Sequence, residues 1–166
     1  MDANYFQINF LAVLVAAVSA LVVGFIWYNP KVFGNPWMKS AGLSEEQLKG
    51  GNMAKIFGLA LVFAALLAMS LNMLTIHQMG AWSMIGGERT ADTLPSFQAF
   101  MDDYGSEFRT FKHGVLHGIL SGIFIALPIL GTNALFERKS AKYIFINTGY
   151  WIVTMAVMGG IICAWV

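Results

Sequence analysis

Long apolar runs alternate with polar gaps along this chain. Four runs stand out, at 8–28, 53–76, 113–136 and 143–165. Read as helices, they rise about 1.5 Å per residue and can each cross a hydrocarbon core about 30 Å thick. Nearly all charged residues fall between them, in the stretches 29–52, 77–112 and 137–142. A soluble domain of this size would show amphipathic or alternating patterns instead. The pattern predicts an all-α membrane protein: one transmembrane domain over 1–166 with four spans and no room for a separate soluble domain.

Composition points the same way. Hydrophobic residues make up 57% and charged residues 11%, with a mean hydropathy of +0.64, whereas about a quarter of a soluble domain is charged. The net charge of +1 speaks against a nucleic-acid partner, which demands a basic stripe. The lone Cys163 lies inside the fourth run and excludes an intramolecular disulfide. No Lys or Arg precedes the first run and no small-x-small cleavage pattern ends it, so it reads as a span rather than a cleaved signal.

Loop charges set an expected orientation. Lys31, Lys39, Lys49 and Lys55 follow the first run, and Arg138, Lys139 and Lys142 lie between the third and fourth. Such an excess marks cytoplasmic loops. Asp2, Glu88, Asp92, Asp102, Asp103 and Glu107 fall on the other side, against Arg89, Arg109 and Lys112. Both termini are therefore expected outside the cytoplasm. Trp27, Tyr28 and Trp37 are expected as anchors at the cytoplasmic interface, with Trp82 and Trp165 at the outer one.

Several local signals refine the picture. Pro30 ends the first helix because proline lacks an N–H and pushes the preceding residue out of helical space. Ser44-Glu45-Glu46-Gln47 reads as a capping box opening a short helix that Gly50 and Gly51 end. In the outer loop, Leu94, Phe97, Met101, Tyr104, Phe108 and Phe111 recur at spacings of three and four, one apolar stripe of a helix. Asp92 or Thr93 can cap it, Pro95 suits its first turn, and Gly105 and Ser106 bend the chain after it. Such a helix lies on the membrane surface or closes the mouth of the bundle. Pro128 is expected to kink the third helix. Asn72, Asn133, Asn147, Thr148 and Thr154 are expected to hydrogen-bond between helices, since lipid offers them no partner.

The third run carries the densest chemistry. Gly114, Gly118 and Gly122 recur at i, i+4, i+8 and form a flat groove for another backbone, from this chain or a second copy. His113, His117 and Ser121 run beside them with the same spacing, and His77 sits at the same membrane level at the end of the second run. Two histidines at i and i+4 can hold one metal ion, and His77 could add a third nitrogen. Against metal stand the missing glutamate of a zincin motif and the cationic Arg109 and Lys112 close by. The alternatives are hydrogen-bonding histidines, a proton relay, or haem ligation by His77 with a histidine of the third run. No Ser-His-Asp set, phosphate loop or cysteine pair appears, so no enzyme is expected and no cofactor beyond a possible metal ion.

The stretch Trp27-Tyr28-Asn29-Pro30-Lys31-Val32-Phe33-Gly34, with Trp37-Met38-Lys39 and Gly42-Leu43-Ser44-Glu45-Glu46, resembles the signature of the bacterial domain of unknown function 1761 family. Asn133-Ala134-Leu135-Phe136-Glu137-Arg138 and Ile146-Asn147-Thr148-Gly149-Tyr150-Trp151 resemble its second half. The resemblance covers essentially the whole chain. It implies a four-helix, multi-pass protein of a bacterial inner membrane and supplies no activity or site residues.

Two functions fit these observations. One is an interaction protein in the lipid bilayer that self-associates, or joins other membrane subunits, through the glycine face of the third helix. The other is a small channel, transporter or ligand-binding protein with its site at the outer ends of the second and third helices.

Overall fold

A computed structural model describes residues 8–165 of the chain. Asp2, counted above among the outer charges, lies outside the described residues. Within them every regular element is helical. The order is α1 (Phe10–Trp27), α2 (Asn35–Ala41), α3 (Glu45–Lys49), α4 (Met53–Thr75), α5 (His77–Met84), α6 (Pro95–Tyr104), α7 (Phe111–Ser121), α8 (Leu127–Phe136) and α9 (Ala141–Ala164). Four stretches are long and apolar enough to cross a membrane: α1, α4, α7 with α8, and α9.

Each span begins where a short polar side chain caps it. Asn9, Asn52, Thr110 and Ser140 accept from the backbone N–H of Ala12, Lys55, His113 and Tyr143, groups that a helix start otherwise leaves unpaired. The caps at Thr110 and Ser140 start the third and fourth spans two residues earlier than hydropathy predicts. Ser44 forms the expected capping box: its hydroxyl accepts from Gln47 N at 3.2 Å and its N–H donates to Gln47 Oε1 at 2.8 Å. Pro30 sits at the start of a wide turn, Pro30–Gly34, that leads into α2.

The third span accommodates Pro128 by a change in its hydrogen-bond ladder upstream of the proline. A wide turn, Gly122–Ala126, joins α7 to α8 with Leu127 N donating to Gly122 O. Loosening the ladder by one residue per turn is a common way for a helix to absorb a missing N–H donor.

Helix α9 is the centre of the bundle: 44% of its apolar window is buried, against 22–28% for the other spans. Its closest partner is α7. A Cβ on Gly114 would fall on Gly159 O, one on Gly118 on Met155 O, and one on Gly122 would lie 2.7 Å from Ile152 Cα. The groove is thus filled by the chain's own fourth span. Of the two partners the sequence left open for the glycine row, the structure shows this chain's own α9. Small residues serve α1 and α4 in the same way, through Ala16, Ala17 and Ala20 against Ala64 and Ala68, all buried. In lipid, such close van der Waals contact is what holds helices together.

Three of the six buried polar side chains, and half-buried Asn147, turn back on their own helix. Asn72 donates to Ala68 O, Thr75 to Leu71 O, Ser121 to His117 O and Asn147 to Tyr143 O. Asn147 also links two helices as expected, accepting from Tyr28 Oη at 3.0 Å. Asn133 is exposed, and the Thr148 hydroxyl has no hydrogen-bond partner among the described residues. A short polar side chain on a helix can reach the carbonyl four residues back without a neighbouring helix. Trp82 departs from its expected role as well. It is 8% exposed and packs edge-on against Phe97 at 5.2 Å, a core residue rather than a headgroup anchor.

Candidate metal centre

The second span does not simply stop at His77. Ile76 breaks it with extended backbone, φ −108° and ψ 99°, and the chain restarts as α5 with His77 as its first residue. Ile76 is buried in the bundle core, which fixes the break and aims His77 toward the start of the third span. There Thr110 caps α7 by accepting from His113 N at 3.2 Å. His113 and His117 then stand one above the other, as i and i+4 positions must.

The three rings meet. His77 Nε2 and His113 Nε2 lie 2.8 Å apart. Ring centroids are separated by 4.8 Å for His77–His113, 5.0 Å for His77–His117 and 4.5 Å for His113–His117. One nitrogen of each ring lies within 4.8 Å of the other two. A tetrahedral zinc ion with bonds of about 2.0–2.1 Å spaces its ligand atoms by about 3.3–3.4 Å. The observed set brackets that spacing, so small side-chain rotations convert the cluster into a three-nitrogen ligand set. The group contains no carboxylate or thiol among the described residues. At 2.8 Å, the His77 and His113 Nε2 atoms leave no gap for a haem plane between those two rings.

The surroundings hold the rings in place. The His117 ring makes a hydrogen-bond contact with the Leu74 backbone, at a helix end whose carbonyls the break at Ile76 leaves open. Such a contact restricts how the ring can turn. Phe108 packs against His77 at 5.8 Å and His113 at 5.1 Å. It adopts φ 62°, a left-handed conformation that costs a bulky residue about 1–2 kcal/mol. The Phe108 carbonyl accepts from Thr110 N at 2.8 Å and from Cys163 Sγ at 3.3 Å, which offsets part of that cost.

Arg109 weighed against a metal in the sequence, but its guanidinium is engaged elsewhere. Its Nε donates to Cys163 O at 2.9 Å and a terminal nitrogen donates to Trp165 O at 2.8 Å, so it caps the last turn of α9. Burial lowers its pKa from the ordinary arginine value, with the neighbouring Cys163 opposing that shift. A cation at a helix C-terminus is well placed against the negative end of the helix dipole.

Helix α6 carries part of the expected stripe, but with altered ends. Leu94, not Asp92 or Thr93, is its N-cap residue and makes no side-chain cap bond. Its last residue is Tyr104, so Phe108 and Phe111 belong to the loop and to α7. Met101 is its buried residue. Between α6 and α5 lies a pocket of about 420 Å³ whose wall includes His77.

Gln78 was not anticipated from the sequence. It is 5% exposed, and its amide nitrogen donates to Tyr104 O at 3.2 Å and Glu107 O at 2.9 Å, tying the 104–107 segment to α5. A lone glutamine beside a histidine carries no sequence signal of such a role.

The family model described as a protein of unknown function (DUF1761) matches residues 11–163. The chain belongs to this family. No curated protein and no solved structure matches it. The DUF1761 membership agrees with the resemblance carried by the Trp27–Gly34 and Asn133–Arg138 stretches.

Proposed function

We propose that this DUF1761 protein is an integral membrane protein that binds a divalent transition-metal ion through His77, His113 and His117. The carrying observation is the convergence of one nitrogen from each ring to within 4.8 Å. Neutral imidazole suits zinc, copper and nickel. Three protein ligands plus an open position is the arrangement of reactive or exchanging metal sites rather than of closed structural ones. The lysine-rich loops support placing the histidine end outside the cytoplasm, so the ion is drawn from that side.

Cobalt(II) titration of protein purified without a histidine tag tests this reading. A saturable visible band from a tetrahedral site at one ion per chain is expected. A spectrum no different from that of His113→Ala protein would reject it. The interaction-subunit reading loses its main support because the glycine groove is filled within the chain.

A further inference from the structure

A second cavity lies at the other end of the bundle from the histidines, where α1, α4 and α9 meet. Ala20 and Gly24 of α1 and Ala60 and Ala64 of α4 make its floor. Phe25, Phe57 and Phe63, each more than half exposed, stand beside it and leave it open to the surrounding lipid. Tyr150 closes the α9 side, with its hydroxyl donating to Ala20 O at 3.1 Å. Tyr28 packs on Tyr150 at 5.2 Å and is itself tied to Asn147. These bonds fix the rings that shape the groove. Its volume of about 550 Å³ lies in the range of small-molecule sites.

The groove runs along the helices. It extends from Tyr28 to Ala20 on α1 and from Ile56 to Ala64 on α4, about 12 Å on each at 1.5 Å per residue. Ala20 and Ala64 stand near the midpoints of their spans. The groove therefore begins at one membrane interface and ends near the bilayer centre, about 15 Å deep in a core about 30 Å thick. That is the path of an acyl chain in one leaflet. At the interface end, the lining residues Pro30 and Ile56 are next in sequence to Lys31 and Lys55, both exposed. The one ion pair among the described residues joins Lys49 to Glu45, so neither of these lysines is neutralised by a carboxylate there. The start of α4 adds the positive end of its dipole at the same level.

We propose that this groove is a binding site for one anionic glycerophospholipid, with an acyl chain lying beside Phe25, Phe57 and Phe63 and the phosphate held by Lys31 and Lys55. Basic pockets between membrane helices hold acidic lipid head groups in this way, and lysine stems are long enough to reach the head-group level. A neutral lipid fits the apolar part but leaves both ammonium groups without a counter-charge. A second copy docking through the same face would bring its own Lys31 and Lys55 toward these two, which disfavours a protein occupant. The site is separate from the histidines and does not depend on the metal reading.

Native mass spectrometry of delipidated protein in detergent tests the site, with phosphatidylglycerol and phosphatidylcholine of the same acyl chains as probes. One phosphatidylglycerol per chain should be retained, with an affinity at least about tenfold above that of phosphatidylcholine, as attraction to two lysines implies. Lys31→Gln together with Lys55→Gln should remove that preference. Ala60→Phe, at a half-exposed position of the floor, should fill the groove and lose the tightly held lipid while keeping a wild-type unfolding midpoint. Glycerol 3-phosphate, a head without a chain, should not displace the lipid at equal concentration. Equal affinities for the two lipids, or a preference that survives the double lysine change, would overturn the proposal. So would tight lipid on folded Ala60→Phe protein, displacement by glycerol 3-phosphate, or a dimer in place of the lipid-bound chain. The lysine variant, altered only on the exposed surface, decides the matter even where Ala60→Phe fails to fold.

Discussion

His77 and His113 face each other at 2.8 Å between their Nε2 atoms, across 36 residues of sequence. The contact depends on the helix break at Ile76 on one side and on the Thr110 cap on the other. Among the described residues, neither ring is held by an acid. Two imidazoles set against each other with a third at 4.5–5.0 Å between centroids form a nitrogen-rich corner suited to a borderline metal ion.

His117→Ala removes one of three ligands while leaving the Nε2 contact between the other two. Metal affinity should fall about a hundred-fold, or ~2.8 kcal/mol at 1.4 kcal/mol per factor of ten. Competition against a colorimetric chelator measures it. Thermal stability of the metal-free protein should be nearly unchanged, because His117 is only partly buried.

Gly118→Leu tests the glycine groove as an internal joint. Its Cβ would fall on the Met155 carbonyl, so α7 and α9 must separate. A loss of about 3 kcal/mol or more is expected, read as a clear drop in the unfolding midpoint in detergent. An unchanged midpoint with a smaller native mass would return the groove to an intersubunit role.

Arg109→Ala frees the end of α9. Two charge-assisted bonds to Cys163 O and Trp165 O disappear, each worth about 1.5–3 kcal/mol when made to a charged group. Hydrogen exchange should accelerate in the last turn of α9 and stay unchanged in its middle. Protection equal to wild type would show that the cap contributes nothing.

Orientation has a direct readout. Cys163, the only cysteine, is buried, so its replacement by Ala gives a clean background. In intact cells a membrane-impermeant maleimide should label Asp103→Cys and spare Lys142→Cys. The reverse pattern would place the histidine end in the cytoplasm.

The four spans were legible in the sequence because length and apolarity alone decide whether a helix can cross lipid. The histidine cluster was legible too, from i, i+4 spacing on one run and the matching depth of His77 on another. What escaped was set by contacts distant in sequence. Gly114, Gly118 and Gly122 read the same whether the facing backbone is α9 or a second copy. The restart of the helix at His77 depends on where Ile76 packs, and no local breaker such as proline announces it. The left-handed Phe108 and the two hydrogen bonds from Gln78 to the Tyr104 and Glu107 carbonyls likewise arise only when α5, α6 and α7 come together. Hydropathy placed Trp82 at the interface, whereas its packing against Phe97 buries it.

X-ray absorption at the zinc edge tests the central claim most directly. The sample is tag-free protein loaded with one equivalent of zinc and dialysed. A shell at about 2.0–2.1 Å is predicted, with the multiple scattering of three imidazole rings. That signal should drop to two rings in His117→Ala protein. A shell made of oxygen alone, or no zinc retained after dialysis, would contradict it.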